Sequence, residues 1–383
     1  MRRPELRTTD RDAFRPVWAE VDLDAVRANV RTLRTLVAPA AVCAVVKADG
    51  YGHGAVAVSE AAIDAGAACL AVALVEEGMQ LRDAGIDAPI LVLSEPVPAA
   101  AETVVAHRLT PVVYTATGID ALAKAALTLG ARDPVAVHLK VDTGMHRVGC
   151  DPVDAVGLAA HVVDRPELAL AGVCTHFAVA DEPENAYTEA QRNLFEEVLG
   201  ALRAQGLPTG TVHACNTAGA IACPEARYDM VRAGIGIYGL APSRALAGRV
   251  ELSPALAVKA RVSHMQTLPP GARVSYGLRY ETVAATRVAT VPIGYADGVP
   301  RELAQRGGEV LIAGRRLPIA GTVTMDQLMV DVGDLSVDVG DEVVLLGRQG
   351  EARIGAEEWA EQMDTITYTV VCGVGPRVPR RYL

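Results

Sequence analysis

Eight apolar runs of strand length, separated by segments of helical texture, constrain this chain more than any other feature. They are AVCAVV (41–46), CLAVAL (69–74), PILVL (89–93), LTPVVY (109–114), VAVHLKV (135–141), LALAGVCTH (168–176), TVHACN (211–216) and MVRAGIGIY (230–238). Between them lie stretches such as GAVAVSEAAIDAG, TGIDALAKAALTLG and TEAQRNLFEEVLGALRAQG, rich in Ala, Leu and Glu and closed by glycine, as helix C-termini favour. Continuous apolar strands alternating with helices specify a parallel sheet covered on its outer face. Eight such units in some 230 residues predict a closed (β/α)8 TIM-type barrel rather than an open doubly wound sheet.

After Pro254 the texture changes. Val, Thr and Gly dominate, apolar and polar residues alternate, and helix-length segments nearly vanish apart from GAEEWAEQM (355–363), which predicts a mostly β second domain. The expected division is a mobile tail over 1–15, the barrel over 16–250 and the β domain over 251–383, with the strand near 16–21 a candidate member of the second domain. The net charge of −10 disfavours nucleic-acid or anionic-membrane partners, which reward basic faces. No apolar stretch follows the basic N-terminus, so neither a signal peptide nor a membrane anchor is expected. Seven cysteines without a C-x-x-C pair fit a reducing, cytoplasmic setting, and the eight histidines form no metal-ligand pattern.

A barrel carries its active site at the C-terminal ends of its strands. Lys47 follows the first run, Arg147 the fifth, His176 and Asn216 end the sixth and seventh, and Arg232 lies in the eighth. A lone lysine at a strand end is ordinarily a snorkelling surface residue. Five polar residues converging on one mouth instead indicate a site. GIGIYG (234–239) matches G-x-G-x-x-G, yet Ala241-Pro242-Ser243 follow it and no βαβ unit remains, so a dinucleotide site is rejected. A phosphate-binding loop after the last strand fits better, with tight barrel packing as the alternative.

VVKADGYGHG (45–54), KVDTGMHRVG (140–149), HACNTAG (213–219), DMVRAGIGIYGL (229–240), VSYG (274–277), GYADGVPR (294–301) and MDQLMVDV (325–332) together resemble the alanine racemases of the fold type III pyridoxal-phosphate class. Seven motifs in colinear order span nearly the whole chain. The resemblance implies a barrel, a C-terminal β domain, pyridoxal 5'-phosphate as cofactor, and a head-to-tail homodimer with shared active sites. Lys47 resembles the lysine that carries the cofactor and acts as base on one face of Cα, and Tyr276 the opposite base, delivered by the partner subunit. A phenol with a pKa of about 10 is a poor neutral-pH base unless its neighbours poise it; in the family it is linked through His176 to Arg232.

Arg232 resembles the arginine that faces the pyridine nitrogen, where decarboxylases and aminotransferases typically place a carboxylate. Tyr51, Thr217, Gly234, Ile235 and Tyr368 match positions around the cofactor phosphate, and Asn216 stands beside them. Arg147 and the backbone at Met325 match the substrate-carboxylate site, with Lys140 matching a lysine often carbamylated and paired with that arginine. Tyr295 and Tyr368 resemble the inner gate of the substrate entrance, and Asp326 follows Met325 on the same loop. Two positions depart from the family pattern: Thr217 stands where serine is common, and Thr324 where cysteine is usual, beside the substrate pocket.

The resemblance implies interconversion of L- and D-alanine, supplying D-alanine for peptidoglycan. Thr324 keeps a serine or broad-specificity racemase open as the alternative. A non-catalytic pyridoxal-phosphate carrier of this fold type is a lone barrel, and the second domain bearing Tyr276 argues against it. A decarboxylase would want an acid where Arg232 stands.

Overall fold

The computed structural model describes residues 14–383. Two compact units emerge, one running from Asp24 to Pro254, the other combining the chain up to Leu23 with Ala255–Leu383. Residues 1–13 of the expected tail lie outside the described residues. Arg15 is anchored to Asp297 by two hydrogen bonds, 3.0 and 2.8 Å.

The expected barrel boundary at 16 is corrected by β1 (Val17–Val21), which lies in the second unit. It runs antiparallel to β10 (Leu256–Arg261) and parallel to β20 (Arg380–Tyr382). Ladder hydrogen bonds to strands more than 200 residues away decide its membership, and local sequence carries no trace of them.

The barrel strands are β2 (Ala41–Val45), β3 (Cys69–Val72), β4 (Ile90–Val92), β5 (Thr110–Val113), β6 (Val135–Lys140), β7 (Leu168–Cys174), β8 (Thr211–His213) and β9 (Met230–Ala233). All eight expected runs contain a strand, and the strands form one parallel sheet in sequential order, with β9 returning to pair with β2 from Ala41↔Met230 to Ala44↔Ala233. The circle closes where Asp229 N donates to Val212 O (3.1 Å) and Arg232 N to Cys215 O (2.9 Å). Every strand buries an aliphatic side chain, for example Val42, Leu70, Ile90, Val112, Leu139, Val173, Val212 and Val231. At about 25 cal/mol per Å² of apolar area removed from water, this shared interior holds the strand ends in place.

The helices obey their local signals. Ala116–Leu129 starts at Thr115, whose side chain accepts from Gly118 N, and stops at Gly130 with φ 61°. Every run extends past its strand, and the last three do so where expected site residues lie: β7 stops at Cys174, β8 at His213 and β9 at Ala233. His176 and Asn216 therefore stand in loops beyond the strand ends, and Ile235–Tyr238 forms a short 3-10 helix after Gly234.

The second unit holds a sheet in the order β16–β15–β18–β10–β1–β20, with β15 spanning Glu309–Ile312, β16 Arg315–Pro318 and β18 Glu342–Gln349. β19 (Ala352–Ile354) pairs with β18, and beside this sheet are a three-stranded one of β11 (His264–Leu268), β14 (Thr286–Val291) and β17 (Leu328–Gly333) and the ribbon of β12 (Arg273–Val274) with β13 (Tyr280–Glu281). The expected helix appears at Ala356–Gln362, followed by a second, unanticipated one at Thr367–Cys372. The β-branched run TYTVV reads as strand locally; Val370 and Val371 are buried on one face of that helix. Among the described residues no helix is long and apolar enough to cross a membrane.

Candidate active site

Lys47 opens a turn of uncommon backbone geometry. The next four residues, Ala48, Asp49, Gly50 and Tyr51, all have φ between 51° and 61°. Left-handed conformations cost non-glycine residues roughly 1–2 kcal/mol each, so the turn persists only because its surroundings fix it. Glu77 accepts the Ala48 N–H (2.6 Å) together with the N–H groups of Ala73 (2.8 Å) and Leu74 (3.1 Å). Asp49 accepts the Ala55 N–H (2.9 Å). Lys47 is thereby set at the barrel mouth by two carboxylates that sequence reading did not single out.

Arg232, buried on β9, is the hub of the barrel interior. Its Nη1 donates to His213 Nδ1 (2.6 Å), and its Nη2 faces the Thr175 carbonyl (2.8 Å), the Ala214 carbonyl (2.7 Å) and His176 Nδ1 (3.0 Å). Because His213 Nδ1 accepts, its proton sits on Nε2 and is donated to His138 Nδ1, 2.8 Å away. Burial and the Arg232 charge hold His138 down at about 4, and the same two causes push His213 and His176 well below the usual imidazole range. The three rings are neutral at pH 7, and every hydrogen-bond acceptor around the guanidinium is uncharged.

His138 and His213 were missed because each sits inside an apolar run. The detectable signal was Gly172 on the intervening strand: a Cβ there would fall 2.4 Å from His138 Nδ1.

Lys140 ends β6, buried, with Nζ 3.3 Å from the Leu93 carbonyl. Burial lowers its pKa to about 8; the Cys174 thiol opposes the shift, and the charges of Arg232, Arg147 and Lys47 add to it. Lys140, Arg147 and His176 line one cavity. The strand ends thus bring four cationic side chains, Lys47, Lys140, Arg147 and Arg232, into mutual electrostatic range, an environment suited to an anionic ligand.

A second group lies at the end of β9. The Thr217 hydroxyl accepts from Gly234 N (3.0 Å) and Gly236 N (3.3 Å). A Cβ on Gly234 would stand 2.6 Å from the Tyr51 hydroxyl, so this close approach requires glycine. Tyr51, Thr217, Gly234 and the buried Ile235 are brought together. Asn216 is occupied differently, its side chain capping the helix Thr217–Ala222 by accepting from Gly219 N (2.9 Å).

The remaining expected residues belong to the second unit. Tyr276 is 71% exposed, in a turn where Thr322 Oγ1 donates to its carbonyl (2.8 Å) and Ser275 donates to the Thr322 carbonyl (2.6 Å). Tyr295 N donates to Thr324 O (2.9 Å) and Ala296 N to Met325 O (3.0 Å), joining the Tyr295 and Met325 loops. Thr324 Oγ1 donates to Gln327 O (2.8 Å) and accepts from Gln327 N (3.1 Å). Asp326 pairs with Arg377 at 2.6 Å, and Tyr368 lies in the helix Thr367–Cys372.

Residues 21–242 match the family model of the alanine racemase N-terminal domain, and 255–382 that of the C-terminal domain. The chain belongs to the alanine racemase family. It is accordingly an enzyme of the isomerase class, and its barrel and β domain are those of the family. An alanine racemase of Symbiobacterium thermophilum is 50% identical over 376 residues, covering 97% of this chain and 98% of that protein. The crystal structure of alanine racemase from D-cycloserine-producing Streptomyces lavendulae superposes with a TM-score of 0.91 at 39% identity, covering 96% of this chain and 97% of that one. A histidine racemase of Leuconostoc mesenteroides superposes at 0.89 with 31% identity, covering 97% and 98%.

Proposed function

We propose that the chain interconverts L- and D-alanine with pyridoxal 5'-phosphate held on Lys47, using Lys47 and Tyr276 of the partner subunit as the two bases. The observation that carries this reading is the convergence of Lys47, Lys140, Arg147 and Arg232 at one barrel mouth, with the Tyr51, Thr217 and Gly234 cradle in the same unit. One amine, a hydroxyl and backbone cradle, and one guanidinium fit a phosphorylated pyridine aldehyde. Bound there, the cofactor supplies an aldehyde that an amine can hold covalently and a ring that withdraws electrons from the substrate's Cα.

The chain's own residues supply the rest. Lys47 takes or returns the Cα proton on one face, and the Tyr276 phenol acts on the other. Arg147 binds the substrate carboxylate. Lys140, its pKa lowered to about 8, presents enough neutral amine at physiological pH to accept carbon dioxide as a carbamate, which would orient Arg147. Arg232 meets only neutral partners, so its charge stands uncompensated and would disfavour a proton on the ring nitrogen of a cofactor held beside it. A decarboxylase would want an acid at this position, where the chain has Arg232 itself.

Within this reading alanine is favoured over serine, because the Thr324 hydroxyl has its only proton committed to Gln327 O and one lone pair to Gln327 N, and so cannot donate to a substrate hydroxyl. The family's head-to-tail homodimer accounts for the exposure of Tyr276. D-alanine formed in the cytoplasm would supply peptidoglycan. The test is a chiral assay of every proteinogenic amino acid with and without added pyridoxal phosphate. Cofactor-dependent racemisation of alanine, at least about tenfold faster than serine, is expected; a faster reaction with serine or histidine, or none with any, overturns the assignment.

A further inference from the structure

An ion-pair network built around one buried carboxylate in the second unit extends from the first described residues to the C-terminal segment. Asp297 of the GYADGVPR motif has a side chain with no exposed surface. Arg15 grips it with both Nη atoms (3.0 and 2.8 Å), Arg377 Nε approaches at 3.3 Å, and Gly294 N donates to it at 3.0 Å. Arg377 then reaches from Asp297 to Asp326 (2.6 Å), while Arg15 Nη2 also donates to the Arg377 carbonyl (3.0 Å).

The group held by these contacts is the pair of loops bearing Tyr295 and Met325. Gly294 lies so close to the second loop that a Cβ would meet Thr324 O at 2.2 Å and Met325 O at 2.5 Å. With the two backbone hydrogen bonds from Tyr295 N and Ala296 N, the loops cannot shift independently. A buried, fully paired carboxylate gives little net stability compared with well-packed apolar residues, but it fixes geometry, since each partner must lie where the hydrogen bonds require.

We propose that Arg15 and Asp297 are positioning residues for substrate: through Arg377 and the paired backbones they set the Tyr295 side chain and the Met325 carbonyl-and-amide segment in register. The proposal rests on the reading of those two positions as part of the substrate site. It assigns a function to Arg15, upstream of the first strand, and accounts for Arg15 and Arg377 meeting on one carboxylate.

The test uses the full-length, cofactor-loaded protein with Arg15→Ala, Arg15→Lys and Asp297→Asn. Hydrogen exchange of 294–298 and 323–327 should quicken by about tenfold or more in Arg15→Ala, with the rest of the unit unchanged. KM for L-alanine should rise about tenfold while kcat stays within about threefold, the absorption band of the cofactor on Lys47 should not move, and Arg15→Lys should recover at least half of the loss in affinity. Asp297→Asn, which keeps the shape and removes the charge, should follow Arg15→Ala if it folds. Exchange that is unchanged or raised throughout the unit, or quickened exchange with an unaltered KM, overturns the positioning role alone. A wild-type protein that takes up no cofactor overturns the proposed function itself, and the role with it.

Discussion

Acidification should destabilise the barrel through its buried histidines, and His138 gives the size of the effect. Its folded pKa is about 4 against an unfolded reference of 6.5. A base whose folded pKa is depressed favours the unfolded chain once protons become available. The stability it permits is fully present above pH 6.5 and is lost progressively as pH falls toward 4. Between pH 7 and pH 5 the linkage integral for this one ring is about 2 kcal/mol, approaching about 3 kcal/mol below its folded pKa. His213 and His176, shifted in the same direction, add to the slope. Urea unfolding of the protein at a series of pH values, compared with His138→Gln, measures the term: the glutamine variant should start less stable at pH 7 yet lose about 2 kcal/mol less on going to pH 5. Parallel pH dependences in the two proteins would refute a neutral, buried His138 and the tautomer chain from Arg232 built on it.

Further outcomes follow from the same geometry. Gly172→Ala, which places a Cβ 2.4 Å from His138 Nδ1 and 2.7 Å from the Thr211 carbonyl, should cost about 1–3 kcal/mol in urea unfolding by overpacking; a variant as stable as wild type would show that the rings have room. Arg232→Glu should lower racemisation by at least about 100-fold, on the order of 3 kcal/mol in the barrier, and should turn over some L-alanine to pyruvate by transamination, read by lactate dehydrogenase coupling. Unchanged racemisation would separate Arg232 from the cofactor. Lys47→Ala and Tyr276→Ala, each inactive alone, should regain partial activity when mixed and allowed to exchange subunits. No recovery despite proven exchange would count against a shared site.

The barrel was legible because parallel strands buried on both faces leave continuous apolar runs, and each of the eight runs contains a strand. Their ends were less so: LALAGVCTH continues two residues past the end of β7 at Cys174, where the Thr175 carbonyl and the His176 ring face Arg232, and apolarity alone does not mark where a strand stops. Lys47, Arg147, His176, Asn216 and Arg232 were singled out from their places at strand ends, and Tyr276, Tyr295 and Met325 only through resemblance, since a turn tyrosine or methionine has no local signature of chemistry. What sequence could not show are contacts made across the fold. Glu77 beneath Ala48, His138 meeting His213 across a glycine, and Arg15 on Asp297 join residues 29, 75 and 282 positions apart. The strand β1 was uncertain for the same reason, being defined by partners at 256–261 and 380–382.

The most direct test of the central claim is borohydride reduction of the pyridoxal-phosphate-loaded protein followed by peptide mapping. The account predicts one stable pyridoxyl adduct on Lys47, formed in step with loss of alanine racemisation and blocked in Lys47→Ala. An adduct on Lys140 or any other lysine, or full racemase activity after Lys47 is removed, would contradict it.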